Sequence, residues 1–285
     1  MKIAIFGHVC IDRNTSESGT FVGAGSPAMF MHRIFSQLPD CNVTIIAPYG
    51  RDFIPYMGMS RFYPESPFPG ETMTYENTIV QGIRTQRCLN HTDAKPIVID
   101  DAVTQIIRAA DAICVAPLAP NFSPSYIKQI ASLKKWNTEI TLLPQGYFRQ
   151  FDADNTVQIR EFVEDTEIIP LVDTVIVSDA DYSDTRTVAS SWASQNAVHV
   201  VMTQAERGAT LFSGANVTEV PTNPVATGDI VSSIGAGDIF SAGYIYSHGK
   251  FHDPKRAIEF GNALAGQCLR FTQDTIVLDL LSLPV

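Results

Sequence analysis

Ile234-Gly235-Ala236-Gly237-Asp238-Ile239-Phe240 (IGAGDIF) is the stretch around which the rest of the chain organises. Three small residues run into an apolar segment with helical spacing, Asp238–Tyr246. With almost no side chain at 235–237, three peptide N–H groups stand uncovered where a helix begins. The first amides of a helix lack intrahelical partners and lie at its positive end, so they bind anions. Asp238 in that first turn has two readings. It complements the helix dipole, or it is a general base beside an anion hole. In the second case it takes a hydroxyl proton while the amides of Gly235, Ala236 and Gly237 hold the charge of a transferred phosphoryl group.

Downstream, Pro254–Phe271 reads as a second helix, with Asp253 as N-cap and Pro254 at its first position. Upstream, Lys2–Phe6, Val43–Ala47, Ala112–Ala116, Glu139–Leu143, Thr174–Ser178 and Val198–Thr203 read as strands apolar on both faces. A parallel sheet covered by helices requires such runs. Helical stretches Pro27–Leu38, Ala102–Ala110, Pro124–Lys135 and Thr185–Gln195 fall between them, which predicts a three-layer α/β fold. Two β excursions break the alternation. Asp12–Val22 is polar and turn-rich, and Thr72–Asn90 reads as a hairpin turning at Gln81-Gly82. Together they predict a flap over the ligand site, while Tyr49–Gly70, rich in Pro, Gly and Met, reads as loop. With no internal repeat or low-complexity linker, the expectation is one domain over 1–285. Its β lid is drawn from about 12–24 and 70–92.

Composition narrows the function. Apolar residues make up 45% of the 285 and charged residues 18%, enough for a sizeable core and too apolar for wholesale disorder. A net charge of −10 repels polyanions, so nucleic acid is not an expected partner. No uncharged apolar run approaches the roughly 18 residues that span a bilayer, and Ile3–Phe6 is too short for a signal-peptide core. Five widely spaced cysteines without a CxxC suit a reduced, cytoplasmic chain.

Other constellations are weaker. Gly23-Ala24-Gly25-Ser26-Pro27-Ala28 fits a dinucleotide GxGxxA pattern, but about fifteen mostly polar residues separate it from the first strand, the wrong context for that fingerprint. This leaves a nicotinamide-dependent oxidoreductase as a third reading that failure to bind the cofactor would remove. There is no GxxxxGK[ST] and no GxSxG, and the six histidines form no HxH pair. Asp12 follows the first strand at the carboxyl edge of the expected sheet, either shaping a turn or binding two sugar hydroxyls. Thr203–Gly208 reads locally as a strand–turn–strand.

In this order the motifs resemble the ribokinase/PfkB family of carbohydrate and nucleoside kinases over roughly residues 2–271. Gly235–Asp238 is similar to the family's GAGD signature, with Phe240 and Gly243 in place. Gly7 and Asp12 resemble its opening glycine and substrate-binding Asp, Val22–Ala28 its glycine-rich substrate segment, and Tyr49–Asp52 its (V/I)GxD turn. Thr203–Gly208 resembles the nucleotide-side TxGxxG. The resemblance implies a ribokinase-like fold and ATP-dependent phosphorylation of a hydroxyl on a small polyol, meaning a sugar, cyclitol or nucleoside. Asp238 would be the base and Mg²⁺ would bridge the phosphates. It also implies acceptor contacts from Asp12, Gly25 and Ser26, and nucleotide contacts from Thr203, Gly208 and Asn262. The stretch Leu143–Arg149 is similar to a PQG-(Y/F)-x-R segment of inositol-kinase-like members, adding Gln145 and Arg149 to the acceptor pocket, with Arg84 and Arg87 from the hairpin. Exposed flap strands offer an edge for a homodimer.

The chain also departs from the family. Its NxxE appears as Ser178-Asp179-Ala180-Asp181, leaving Asp181 to approach the metal through water. The Asp that usually precedes GAGD is absent from Val231–Ile234, Ala205 replaces a glycine, and Met29 stands where a sugar-binding Asn is usual. These changes motivate a rival expectation, a catalytically weak, ligand-sensing relative that keeps the fold.

Overall fold

Strand β1 (Lys2–Gly7) lies inside a nine-stranded sheet, and its alternating side chains serve two separate cores. Ile3 and Ile5 face one cluster with Val43, Ile45 and Cys114, while Ala4 and Phe6 face another with Ile46, Ile113 and Val115. This is why the run is apolar without period: both faces are covered. The computed structural model describes residues 1–17, 19–80, 83–272 and 275–284, with Ser16, Ile83 and Arg84 described by backbone alone.

From β1 the chain enters β2 (Cys10–Ser16) and β3 (Gly19–Gly25), then α1 (Pro27–Phe35), β4 (Asn42–Ile46) and the short β5 (Phe62–Tyr63). The hairpin strands β6 (Thr74–Val80) and β7 (Ile83–Leu89) follow, then α2 (Asp101–Ala109), β8 (Ala112–Ala116), α3 (Pro124–Leu133) and β9 (Glu139–Leu142). Next come β10 (Arg149–Phe151), β11 (Val157–Ile159), α4 (Asp165–Ile168), β12 (Thr174–Ser178), α5 (Thr185–Gln195) and β13 (His199–Thr203). The chain closes with β14 (Ala209–Ser213), β15 (Asn216–Val220), α6 (Ala236–Phe251) and α7 (Pro254–Cys268).

The large sheet runs β15-β14-β13-β12-β9-β8-β1-β4-β5 and is parallel from β13 to β5. The strands β14 and β15 add an antiparallel edge. Helices α1, α6 and α7 cover one face, and α2, α3 and α5 the other. The fold is therefore the three-layer α/β arrangement read from the sequence. Among the described residues no helix is long and apolar enough to cross a membrane.

The two β excursions join into one four-stranded sheet, β3-β2-β6-β7, in which β2 runs parallel to β6. The expected turn at Gln81-Gly82 lies outside the described residues. The stretch Tyr49–Gly70 is more ordered than a loop. Arg51–Tyr56 forms a 3₁₀ turn and β5 extends the large sheet. The Asp52 carboxylate anchors this stretch by accepting from the Thr72 N–H at 3.1 Å and its hydroxyl at 2.7 Å. Helix α6 continues past Tyr246 to Phe251.

Candidate active site

The helix α6 opens with Gly235 at its N-cap in the left-handed region, φ +77°. A Cβ there would also meet the Phe30 ring of α1 at 2.6 Å, so both backbone and packing require glycine. The Ala236 N–H is committed to the Ser233 carbonyl at 3.2 Å, closing the turn that enters the helix. The N–H groups of Gly235 and Gly237 have no partner among the described residues, so two of the three expected amides remain open to an anion.

Asp238 lies in the first turn of α6 and lines a cavity of about 70 Å³ with Asp181, Gln145, Ser178, Thr203 and Gly237. Burial, then the negative charges of Asp181 and Asp12, raise its pKa from 3.8 to about 7, against the opposing pull of Arg149. A base poised near neutrality abstracts a proton most effectively. Burial likewise raises the Asp181 carboxyl, although the Ser178 N–H donates to its Oδ2 at 2.9 Å and Arg149 attracts it.

Arg149 begins β10 and is held from across the fold. Its Nη1 donates to the Tyr75 hydroxyl at 2.7 Å, and its guanidinium lies 4.8 Å from the Tyr75 ring centre. The Tyr75 hydroxyl in turn donates to the Leu118 carbonyl at 2.8 Å. This tether keeps a cation among carboxylates from three elements, β2, the turn after β12, and α6. Arg87, expected in the same pocket, lies elsewhere. It pairs with Glu76 at 3.3 Å and donates to the Asp154 carbonyl. Strand alternation explains this, because Arg13, Glu76 and Arg87 share one face of the small sheet and Asp12, Tyr75 and Cys88 the other. The Arg84 side chain lies outside the described residues.

Asp12 meets the backbone of β3 directly. A Cβ on Gly25 would fall 2.2 Å from its Oδ2, so the glycine makes room for the carboxylate. The neighbouring Ser26 caps α1, its Oγ accepting from the Met29 N–H at 3.3 Å with φ +97°. Its hydroxyl thus has a structural duty at the place where the sequence expected an acceptor contact.

Thr203, Gly208 and Asn262 gather around a larger cavity of about 360 Å³, also lined by Gly237, Phe240, Val225 and Leu269. Asn262 donates to the Val220 carbonyl at 3.3 Å. Gly208, at φ +90°, turns the chain from β13 into β14. Ser178, Thr203 and Gly237 line both cavities, so the open end of α6 stands where the two meet. The apolar walls Val225 and Leu269 were not legible as site residues, since single aliphatics in a loop and a helix end carry no motif.

No cluster of three or more His, Cys, Asp or Glu among the described residues is arranged to hold a metal ion.

This chain is similar over most of its length to solved kinases. A pyrophosphate-dependent kinase in the ribokinase family, complexed with a pyrophosphate analog and myo-inositol, superposes with TM-score 0.75 at 18% identity over 95% of each chain. Arabidopsis thaliana ribokinase, complexed with ribose and ATP, gives 0.70 at 13% identity over 95% of this chain and 92% of its own. Anopheles gambiae adenosine kinase, in complex with P1,P4-di(adenosine-5) tetraphosphate, gives 0.68 at 15% identity over 94% and 95%. At these identities the likeness establishes the fold. No curated protein matches the chain. Residues 100–278, which include β8–β15, α6 and α7, match the pfkB family carbohydrate kinases, and the chain belongs to that family.

Proposed function

We propose that this kinase transfers the γ-phosphoryl group of ATP to a hydroxyl of a small neutral polyol, with Asp238 as general base. The observation that carries the reading is the place of Asp238, in a small cavity that shares Ser178, Thr203 and Gly237 with a nucleotide-sized one, with its carboxyl pushed up to about 7. The acceptor hydroxyl gives its proton to the Asp238 carboxylate as its oxygen attacks phosphorus. The amides of Gly235 and Gly237 stabilise charge on the transferred group. Asp12 and Gly25 place the acceptor, Gln145 and Arg149 line its far wall, and the small sheet acts as a lid on a single domain spanning 1–285, excluding water.

Mg²⁺ fits the residues present. Magnesium is usually held by one or two carboxylates plus substrate phosphates, and a cation beside Asp181 and Asp238 would relieve the burial and mutual repulsion that push both carboxyls up. Asp181 would hold it through water, and the ion would neutralise phosphate charge. ATP is favoured over pyrophosphate as donor because Phe240, Val225 and Leu269 extend the larger cavity with apolar surface that suits a purine.

The test is turnover of purified protein with Mg-ATP or Mg-pyrophosphate across sugars, cyclitols and nucleosides. The expected result is ADP formation that depends on an acceptor. Acceptor-dependent turnover with pyrophosphate alone would reassign the donor. Polyol binding without turnover by either donor would favour the ligand-sensing relative.

A further inference from the structure

Three distant segments of the chain meet at one phenol. Tyr75 lies on the lid strand β6, opposite Asp12 of β2 in register, and its ring is buried among Cys10, Met73, Cys88, Leu118 and Ala119. Its hydroxyl donates to the Leu118 carbonyl, just past β8, at 2.8 Å and accepts from Arg149 Nη1 at 2.7 Å. Both directions are fixed, because a carbonyl only accepts and a guanidinium only donates. The Cys88 thiol, opposite Tyr75 in register, borders the same hydroxyl. Arg149 Nη1 also lies 3.4 Å from the Leu118 carbonyl, long for a bond from a guanidinium. The phenol oxygen thus stands between cation and carbonyl and holds them apart. The rest of the guanidinium is open. Arg149 is partly exposed, and its Nε and Nη2 have no hydrogen-bond partner among the described residues. Its charge acts on Asp181 and Asp238, which places it beside the reacting groups.

We propose that Tyr75 is a positioning residue, through which the lid fixes the Arg149 guanidinium so that its Nε and Nη2 edge faces the acceptor polyol instead of closing on the Leu118 carbonyl. The inference rests on the polyol-acceptor reading above and deepens it. Packing alone does not need the phenol oxygen, since a phenylalanine ring would fill the same apolar cluster. The oxygen is needed for aim. A guanidinium edge fixed in this way donates to hydroxyl oxygens of the polyol, and it is aimed only while the lid strand is seated on Leu118.

A double-mutant cycle tests this. Tyr75→Phe keeps the ring and removes both hydrogen bonds, and Arg149→Met removes the group that Tyr75 is held to aim. Wild type, the two single variants and the double variant are compared. Binding of myo-inositol, D-ribose and adenosine is measured by calorimetry, with Mg-ATP affinity, melting temperature and turnover alongside. The crystal structure of Tyr75→Phe locates the guanidinium without any ligand.

For whichever polyol the wild type binds, Arg149→Met should weaken binding about thirtyfold, the loss of charged hydrogen bonds, and Tyr75→Phe about tenfold. Adding Tyr75→Phe to Arg149→Met should change polyol affinity by no more than about twofold, and Mg-ATP affinity should stay within about twofold in all variants. In the Tyr75→Phe crystal structure, Nη1 should have moved onto the Leu118 carbonyl, closer than the present 3.4 Å. A merely structural phenol would act equally with and without Arg149. Equal losses in the two backgrounds overturn the proposal, as does an unmoved Arg149 in Tyr75→Phe or a wild type that binds none of the three polyols. Should Arg149→Met fail to fold, the structure and polyol affinity of Tyr75→Phe decide. If a polyol binds with the expected pattern but neither ATP nor pyrophosphate phosphorylates it, the kinase reading fails and the positioning role stands.

Discussion

At the amino edge of the large sheet, charges are answered locally. Glu139 at the start of β9 accepts from His248 at 2.6 Å, with His252 at 3.8 Å. Asp111 before β8 takes the Lys2 N–H at 2.8 Å and Lys135 at 2.9 Å, and Asp173 before β12 takes the Ile140 N–H at 2.8 Å and Lys134 at 3.5 Å. At the carboxyl edge, Asp12, Asp181 and Asp238 crowd around Arg149, and two of the three carboxyls are pushed up rather than held down. Each edge has a cavity of about 360 Å³, so volume does not tell them apart. What differs is that at the carboxyl edge burial and mutual repulsion disfavour the charge on Asp181 and Asp238, the signature of a site poised for a ligand. The parallel strands deliver both edges from the same segments, and only the carboxyl edge receives the opening of α6.

The sharpest break of that contrast is Asp238→Asn. It removes the proposed base, so kcat should fall about 10³-fold, within the range for general-base loss. It also removes a carboxylate that its surroundings disfavour. The unfolded carboxyl ionises near 3.8 and the folded one near 7. In that window the folded protein holds the extra proton, and its stability falls as pH rises. The variant should therefore melt higher than wild type above pH 7 and equally below pH 3.8, read by thermal denaturation across pH. A variant that lost stability and activity together would return Asp238 to the bland role of dipole partner.

The pH profile of the wild type follows from the same group. Because the base must be ionised, kcat/KM should drop about tenfold per unit below pH 7. The neighbours set where that limb falls. Asp181→Asn removes a repelling charge and should move the limb to lower pH, while Arg149→Met removes an attracting one and should move it higher. Limbs that do not move in opposite directions would separate Asp238 from this cluster.

The amino-acid sequence exposes the two edges unequally. Strands Ala112–Ala116 and Thr174–Ser178 and helix Thr185–Gln195 are legible to the residue, because buried apolar runs and their breaks are local signals. The pair β10–β11 is not, since three-residue strands carry no period and are fixed by contacts to Cys88 and Arg87 far upstream. At the site, the opening of α6 is legible because its small residues and its carboxylate are consecutive. Arg149 is held by Tyr75, 74 residues away, which no local pattern encodes. Arg87 misled for a related reason. Its place on the outer face depends on a parallel register between β2 and β6 that composition does not reveal.

Gly25→Ala sharpens the carboxyl edge at smaller cost. The added methyl would fall 2.2 Å from Asp12 Oδ2, so the carboxylate must turn away. Acceptor KM should rise about tenfold, the loss of one charged hydrogen bond, with Mg-ATP KM unchanged. Equal effects on both substrates would show a general distortion of the site instead.

The amino edge supplies the smallest effect and the cleanest control. Burial raises the Glu139 carboxyl, but the His248 hydrogen bond and the charges of His248, His252 and His199 outweigh it and hold it below 4.5. Glu139 therefore stabilises the fold above pH 4.5 and loses that contribution as pH falls through its lowered value. Its side chain is about a third exposed, so solvent screening limits the pair to about 1 kcal/mol. Glu139→Gln should accordingly lower the melting temperature at pH 7 by only about 2 °C, and the deficit should shrink toward pH 4 as wild type loses the same charge. Because this pair sits at the opposite end of α6 from Asp238, kcat and both KM values should not change. A kinetic defect in Glu139→Gln would mean that the two edges communicate along α6, and the division between a paired edge and a working edge would have to be redrawn.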